Sequence, residues 1–356
     1  MKAKHSIFAA QGFRRLHESK SAPGGRFVRS AGAGERKQCP SARGWLAFVL
    51  GGFSLILMLA PALPAAHPTA AKATATYKIT AIANIHLRDK SSKDAGYVFG
   101  HLLGFERAFT LEGAAGKPVI FYKVNDYQYI EVTPGWSNSS EKRYLSLGYR
   151  TTNAEALRAH LAESGFDPQP VHTLADGNLG FEVQDPEGHH IEFVQYVANS
   201  RTGRLRGKLL SSRRISEVII HTGYQVMSKD AEDRFYSAAL HFPEMWYGGM
   251  KPSVVDWFDR RTVNGPDWIE YMLRAPSNAP LRERGVINHF SLGVYHMHAV
   301  YRTLVARGWK PTQKPQIGLD GKWQLNLYTA AGTRIELMGP HPVRKPCCSA
   351  MRPGGW

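Results

Sequence analysis

Two histidines and two glutamates occupy matching frames in the C-terminal half of this 356-residue chain. His221 and His289 each lie in a short alternating apolar stretch, and Glu270 and Glu336 each follow an isoleucine in another. Imidazole nitrogens and carboxylate oxygens are the donors a divalent ion takes when they converge on one point. Strand residues two apart share a face. Trp268, Glu270 and Met272 therefore point together, as do His221, Gly223 and Gln225, and likewise His289, Ser291 and Gly293. The small residues beside each histidine leave room for an ion and a ligand. His221, Glu270, His289 and Glu336 are thus the candidate metal set, and Trp268, Met272, Gln225 and Ser291 the candidate pocket wall. The competing reading is a pair of core histidines with edge carboxylates. It leaves two carboxylates in apolar strands, which is costly without a partner or an ion.

Those frames belong to a repeat. Four strands carry an Ile-Glu pair, ending in Glu131, Glu192, Glu270 and Glu336. A leading strand lies upstream of each, with Asn84, Ser146, His221 and His289 at the matching inward position, and the intervals to the carboxylates are 47, 46, 49 and 47 residues. An amphipathic helix follows each leading strand, and two of these stop at Gly165 and Gly308, residue types that end helices well. The sequence Ser-Lys-Asp-Ala opens the helical segment in both the first and third copies, at Ser92 and Ser228. Each copy reads as strand, helix and three further strands. Asp185-Pro-Glu-Gly188 and Ala330-Ala-Gly332 are tight turns feeding the last strand of the second and fourth. The predicted class is α+β, with four βαβββ units over 77–340.

At this point the chain resembles the vicinal oxygen chelate superfamily, which holds glyoxalase I, extradiol ring-cleaving dioxygenases and bleomycin-resistance-type binding proteins. The resemblance rests on the leading strands Ile82–Asp89 and His221–Ser228, the stretch Phe181–Phe193 and the four Ile-Glu strands. It implies that units pair into half-open barrels with a metal on the concave face. Two domains are then expected, 77–200 and 215–340, joined by a basic linker at 201–214 and followed by a tail at 341–356. Pairing of the first unit with the fourth across a subunit boundary, as in a homodimer, stays open, although adjacent pairing needs shorter connections.

The resemblance also implies the chemistry. In a glyoxalase-like lyase or isomerase, His221, His289 and Glu270 hold one divalent ion (Fe, Ni, Zn or Mn). Glu336 is then the catalytic base for a small substrate with vicinal oxygens, with Glu270 beside it as the second catalytic carboxylate. In an extradiol-type dioxygenase, His221, His289 and Glu336 are the Fe(II) triad and Glu270 is surplus. A binding protein without turnover is the third reading, and Trp246, Trp257 and Trp268 suit either a binder or an enzyme pocket. The first domain offers only Asn84, Glu131, Ser146 and Glu192, with His86 and Tyr144 as less regular alternatives, so it is expected to be metal-free. His172, His189, His190, His296 and His298 fall in turns or at helix starts and are expected to face solvent.

The net charge of +16 suggests a nucleic acid or an anionic membrane, but half of it sits in residues 1–71, where ten Lys/Arg face two Glu. An uncharged run from Trp45 to Ala60 and Pro61–Ala66 follow that basic stretch, the pattern of an export signal or an uncleaved membrane anchor. The protein is therefore expected outside the cytoplasm, touching a membrane only through this segment, with no nucleic-acid partner. Three cysteines cannot build a disulfide scaffold. Adjacent Cys347 and Cys348 are expected to be unbridged tail residues, because neighbours bridge only with strain.

Overall fold

The computed structural model describes residues 76–113, 116–137, 142–251, 253–273 and 287–352. The expected export segment lies outside them. Among the described residues no helix is long and apolar enough to cross a membrane.

The first sheet contains β1 (Ile79–Asp89), β2 (Glu106–Glu112), β3 (Pro118–Asn125), β4 (Gln128–Pro134), β5 (Tyr144–Thr151), β6 (His172–Thr173), β7 (Leu179–Gln184) and β8 (His190–Gln195). The second contains β9 (Ile219–Gln225), β10 (Glu244–Gly248), β11 (Trp257–Arg261), β12 (Trp268–Met272), β13 (His289–Gly293), β14 (Gln316–Ile317), β15 (Trp323–Tyr328) and β16 (Arg334–Met338). Their spatial orders are the same, β2-β3-β4-β1-β5-β8-β7-β6 and β10-β11-β12-β9-β13-β16-β15-β14. In each unit the leading strand runs parallel to its own Ile-Glu strand, and two units join through antiparallel leading strands. Units one and two therefore share a sheet within the chain, as do units three and four.

The helices recur at the same places. Segment α1 (Ser92–Ala95) runs on into a π-helical turn at Gly96–Leu102, and α4 (Lys229–Asp233) into another at Arg234–Ala239; α2 (Ala154–Glu163) and α5 (Met297–Ala306) serve the even units, and α3 (Arg201–Arg204) lies between the sheets. The Ser-Lys-Asp-Ala repeats are not capped identically. Ser228 caps α4 by accepting from the Ala231 amide, whereas Ser91, one residue before the repeat, caps α1 through Asp94; such a cap is worth about 1 kcal/mol. Gly165 and Gly308 end α2 and α5 at φ +87° and +92°, a conformation other residues adopt only with strain.

One continuous apolar core runs from Ile79 to Leu337 and draws on both sheets. Tyr149 of the first half packs edge-on to Phe242 of the second, with ring centres 5.4 Å apart, and Phe166 meets Phe235 at 4.9 Å. The basic stretch 201–214 is folded against the first sheet. The Lys123 ammonium donates to the Leu205 and Lys208 carbonyls, and Arg214 donates to the Val124 carbonyl at 2.7 Å.

Cys347 and Cys348 are bonded to each other, which corrects the expectation that they are unbridged. The tail is folded back on the second sheet rather than loose. The Cys347 amide donates to the Leu319 carbonyl at 2.7 Å, the Trp246 indole donates to the Cys347 carbonyl at 3.2 Å, and Cys348 takes φ +71°. That local geometry brings neighbouring sulfurs together.

Candidate metal centre

The central strands of the second sheet place the four sequence candidates on one concave face. On β9, His221 stands opposite Trp268 and Ser291, and Gly223 opposite Glu270 and His289. On β16, Glu336 stands opposite Ser291. Alternation within each strand then points both imidazoles and both carboxylates inward. Gly223 is what lets them meet: a Cβ on this residue would collide with the His289 ring and crowd the Glu270 carboxylate.

The side chains converge closely. Nε2 of His221 lies 3.1 Å from Nε2 of His289 and 3.1 Å from Oε2 of Glu336. Nε2 of His289 lies 3.4 Å from Glu336 Oε2 and 3.6 Å from Glu270 Oε2. One donor atom each from His221, Glu270 and His289 fits within 4.8 Å of the others. Both histidines are fully buried. Nδ1 of His289 is 3.2 Å from the Ile287 carbonyl, a contact that helps to fix the orientation of the ring.

The electrostatics suit an ion. Burial, with the Arg334 charge adding to it, lowers His289 to about 3, and burial lowers His221 as well, so both rings are neutral. Burial and the neighbouring Glu336 raise Glu270 to about 8. Burial alone would raise Glu336 too, but hydrogen bonds from His221 and His289 outweigh it and hold this carboxyl well below its ordinary value. Two neutral imidazoles and two crowded, buried carboxyls form a donor set a divalent ion satisfies. Those residues fit a metal.

Around the cluster is a cavity of about 460 Å³. Trp246, Trp257 and Trp268 all line it, as expected; Met272, Gln225 and Ser291 are buried on the same strands but do not line it. Four charged neighbours were missed from sequence. Asp259 lies opposite Glu270 on β11, and burial, then the Glu270 charge, pushes its carboxyl well up. Asp320 is raised to about 6 by burial. Buried Lys322 sets its ammonium 4.2 Å from the centre of the Trp268 ring. Nη2 of Arg334 lies 2.6 and 2.7 Å from the two ring nitrogens of His289. Arg334 and Asp259 were legible in principle. Arg334 lies two residues before Glu336 and so on its face, and Asp259 two after Trp257.

In the first sheet, Asn84 and Ser146 hold the positions of His221 and His289. Asn84 Nδ2 donates to Glu131 and Glu192, each at 2.7 Å. His86 lies two residues on, bonded to Thr133 at 2.9 Å, and burial lowers its ring to about 4. Tyr144 instead reaches across to Thr222 of the second sheet, 2.5 Å away.

His189 is not solvent-facing, which corrects that expectation. It is 5% exposed and stacks on Tyr224, with centres 4.0 Å apart. Its Nδ1 pairs with Asp185 Oδ2 at 2.8 Å, and buried Glu232 from α4 completes a second three-donor group. The turn Asp185–Gly188 curls back so that the Asp185 side chain accepts from the Glu187 and His189 amides, and this pulls His189 inward. His172, His296 and His298 are exposed, and His190 is half-buried.

No family model matches the chain, and no curated protein matches it. Solved structures do. The Mn(II)-bound glyoxalase of Novosphingobium aromaticivorans matches with TM-score 0.55 at 15% identity, over 78% of this chain and 87% of that one. The 2,3-dioxygenase LapB of Pseudomonas sp. KL28 matches with TM-score 0.57 at 10% identity, over 76% and 96%. An extradiol ring-cleaving dioxygenase of B. fuscum matches with TM-score 0.55 at 13% identity, over 75% and 73%. The chain shares the fold of these structures, α+β with two curled eight-stranded sheets.

Proposed function

We propose that the cavity of the second sheet is the active site of a metal-dependent, glyoxalase-like lyase or isomerase. Its substrate is a small molecule that presents two vicinal oxygens. The observation that carries this reading is the presence of four donors rather than three: His221, Glu270 and His289 group within 4.8 Å, and Glu336 lies against both imidazoles. His221, His289 and Glu270 would hold the ion, which when bound would supply Lewis-acid stabilisation of negative charge on the substrate oxygens. Glu336 stays ionised and accepts the proton from the carbon beside the substrate carbonyl. The Ile287 carbonyl orients His289, and the three tryptophans give the cavity an aromatic wall.

A second reading is an Fe(II) ring-cleaving dioxygenase that uses His221, His289 and Glu336. Likeness to a 2,3-dioxygenase and to an extradiol ring-cleaving dioxygenase supports it. The two-sheet layout does not favour it, because the Novosphingobium glyoxalase matches this chain over a similar span.

The test is metal content and loss of function together. The purified chain is expected to carry about one divalent ion. Glu270→Ala is expected to lose most of its metal affinity, and Glu336→Gln to keep metal while losing proton exchange at the substrate carbon. Oxygen uptake with a catechol, together with unchanged metal affinity in Glu270→Ala, would establish the dioxygenase instead. Ligand binding without turnover in metal-loaded protein would make it a binder.

A further inference from the structure

The first sheet also holds a cavity on its concave face, of about 150 Å³. At its base, Asn84 spreads its amide between Glu131 and Glu192, donating one hydrogen to each. Gly148 makes room for this arrangement, since a Cβ there would collide with the Asn84 side chain. Tyr129 lines the wall, 1% exposed, with its hydroxyl buried and unpartnered among the described residues. Phe121 and Val119 supply an apolar side.

The charge balance is one-sided. Four carboxyls line this cavity, those of Glu112, Glu131, Asp176 and Glu192, and among the described residues no lysine or arginine does. The adjacent cations Arg150 and Arg206 stack on Tyr127 instead. His86 on the wall is neutral. Each carboxylate of the Glu131–Glu192 pair receives one hydrogen from Asn84 and retains acceptor sites without a matching donor. Burial pushes both carboxyls up, Glu192 to about 7, the mark of an anionic pair lacking a counter-charge.

We infer that this first-sheet cavity is a binding site for a small primary ammonium ion. Its head is held by Glu131, Glu192 and the Tyr129 hydroxyl, and its alkyl tail lies against Phe121 and Val119. An ammonium brings three hydrogen-bond donors and the missing charge. A cavity of this volume takes a ligand about the size of benzene, roughly six heavy atoms. The metal reading of the second sheet plays no part in this inference.

The test is calorimetric titration of the intact protein with n-pentylamine as its ammonium salt and with n-pentanol, its neutral counterpart of equal size. The wild type is expected to bind one pentylammonium saturably, at least about tenfold more tightly than pentanol. In Glu192→Gln, and in Val194→Phe, which fills the cavity, that affinity is expected to fall about tenfold or more. Equal affinity for amine and alcohol, no saturable binding, or undiminished affinity in Glu192→Gln would overturn the inference. Should the variants not fold, the comparison of amine with alcohol in the wild type decides alone.

Discussion

Nη2 of Arg334 lies 2.7 Å from Nε2 of His289, the ring nitrogen that faces the donor cluster. A guanidinium and a divalent cation compete for one lone pair, and their charges repel. Arg334 must swing aside when an ion enters. Arg334→Leu is therefore expected to tighten divalent-metal binding by about tenfold or more. Titration of Mn(II) or Zn(II) into the metal-free variant measures this. A weaker affinity would show that Arg334 supports the site rather than opposing occupancy.

Gly223 sets the close approach of His289 and Glu270. Gly223→Ala places a methyl group where the His289 ring sits, so the imidazole must leave its position. Overpacking of this kind costs about 1–3 kcal/mol of stability, and misplacing a ligand costs much more in metal affinity. The variant is expected to fold, melt a few degrees lower, and lose metal about a hundredfold. Metal content and a thermal melt check both outcomes, and full metal retention would refute the packing argument.

Metal binding should depend on pH through Glu270. In the metal-free protein this carboxyl is raised to about 8, mainly by burial. Between its ordinary value and pH 8 it is protonated, yet as a ligand it must be ionised, so binding releases a proton. Affinity is expected to rise about tenfold per pH unit from pH 6 to 8 and to level off above. In Glu270→Gln that slope should be lost along with much of the affinity. Titrations at four pH values in two buffers of different ionisation enthalpy give the slope and the proton count.

Much of this centre was legible in the sequence. His221, Glu270, His289 and Glu336 were found because strand alternation and a 46–49-residue repeat constrain which residues share a face. Arg334 and Asp259 lie on that same face, but a charged residue at a strand end ordinarily reads as solvated. Lys322 and Asp320 come from the segment before β15, whose path is set by the folded-back tail and not by any periodicity. His189 was misread because its burial depends on the second half of the chain: Tyr224 of β9 and Glu232 of α4 cover it, far away in sequence.

The cluster of Asp185, His189 and Glu232 permits a separate stability test. Glu232 is fully buried and raised to about 10, chiefly by burial and then by the Asp185 charge. It is an acid whose folded value lies above its unfolded one, so the folded state retains its proton. Its favourable contribution is complete below about pH 4.5 and is lost progressively as pH rises toward 10. Glu232→Gln keeps an acceptor for the Glu187 amide, which Glu232 binds at 3.1 Å, and adds a permanent donor for Asp185. The variant is expected to match the wild type at pH 4.5 and to exceed it by about 1–3 kcal/mol at pH 8. Urea unfolding at the two pH values checks this. A variant less stable at pH 8, with the difference abolished by a chelator, would show instead that these three residues hold a cation.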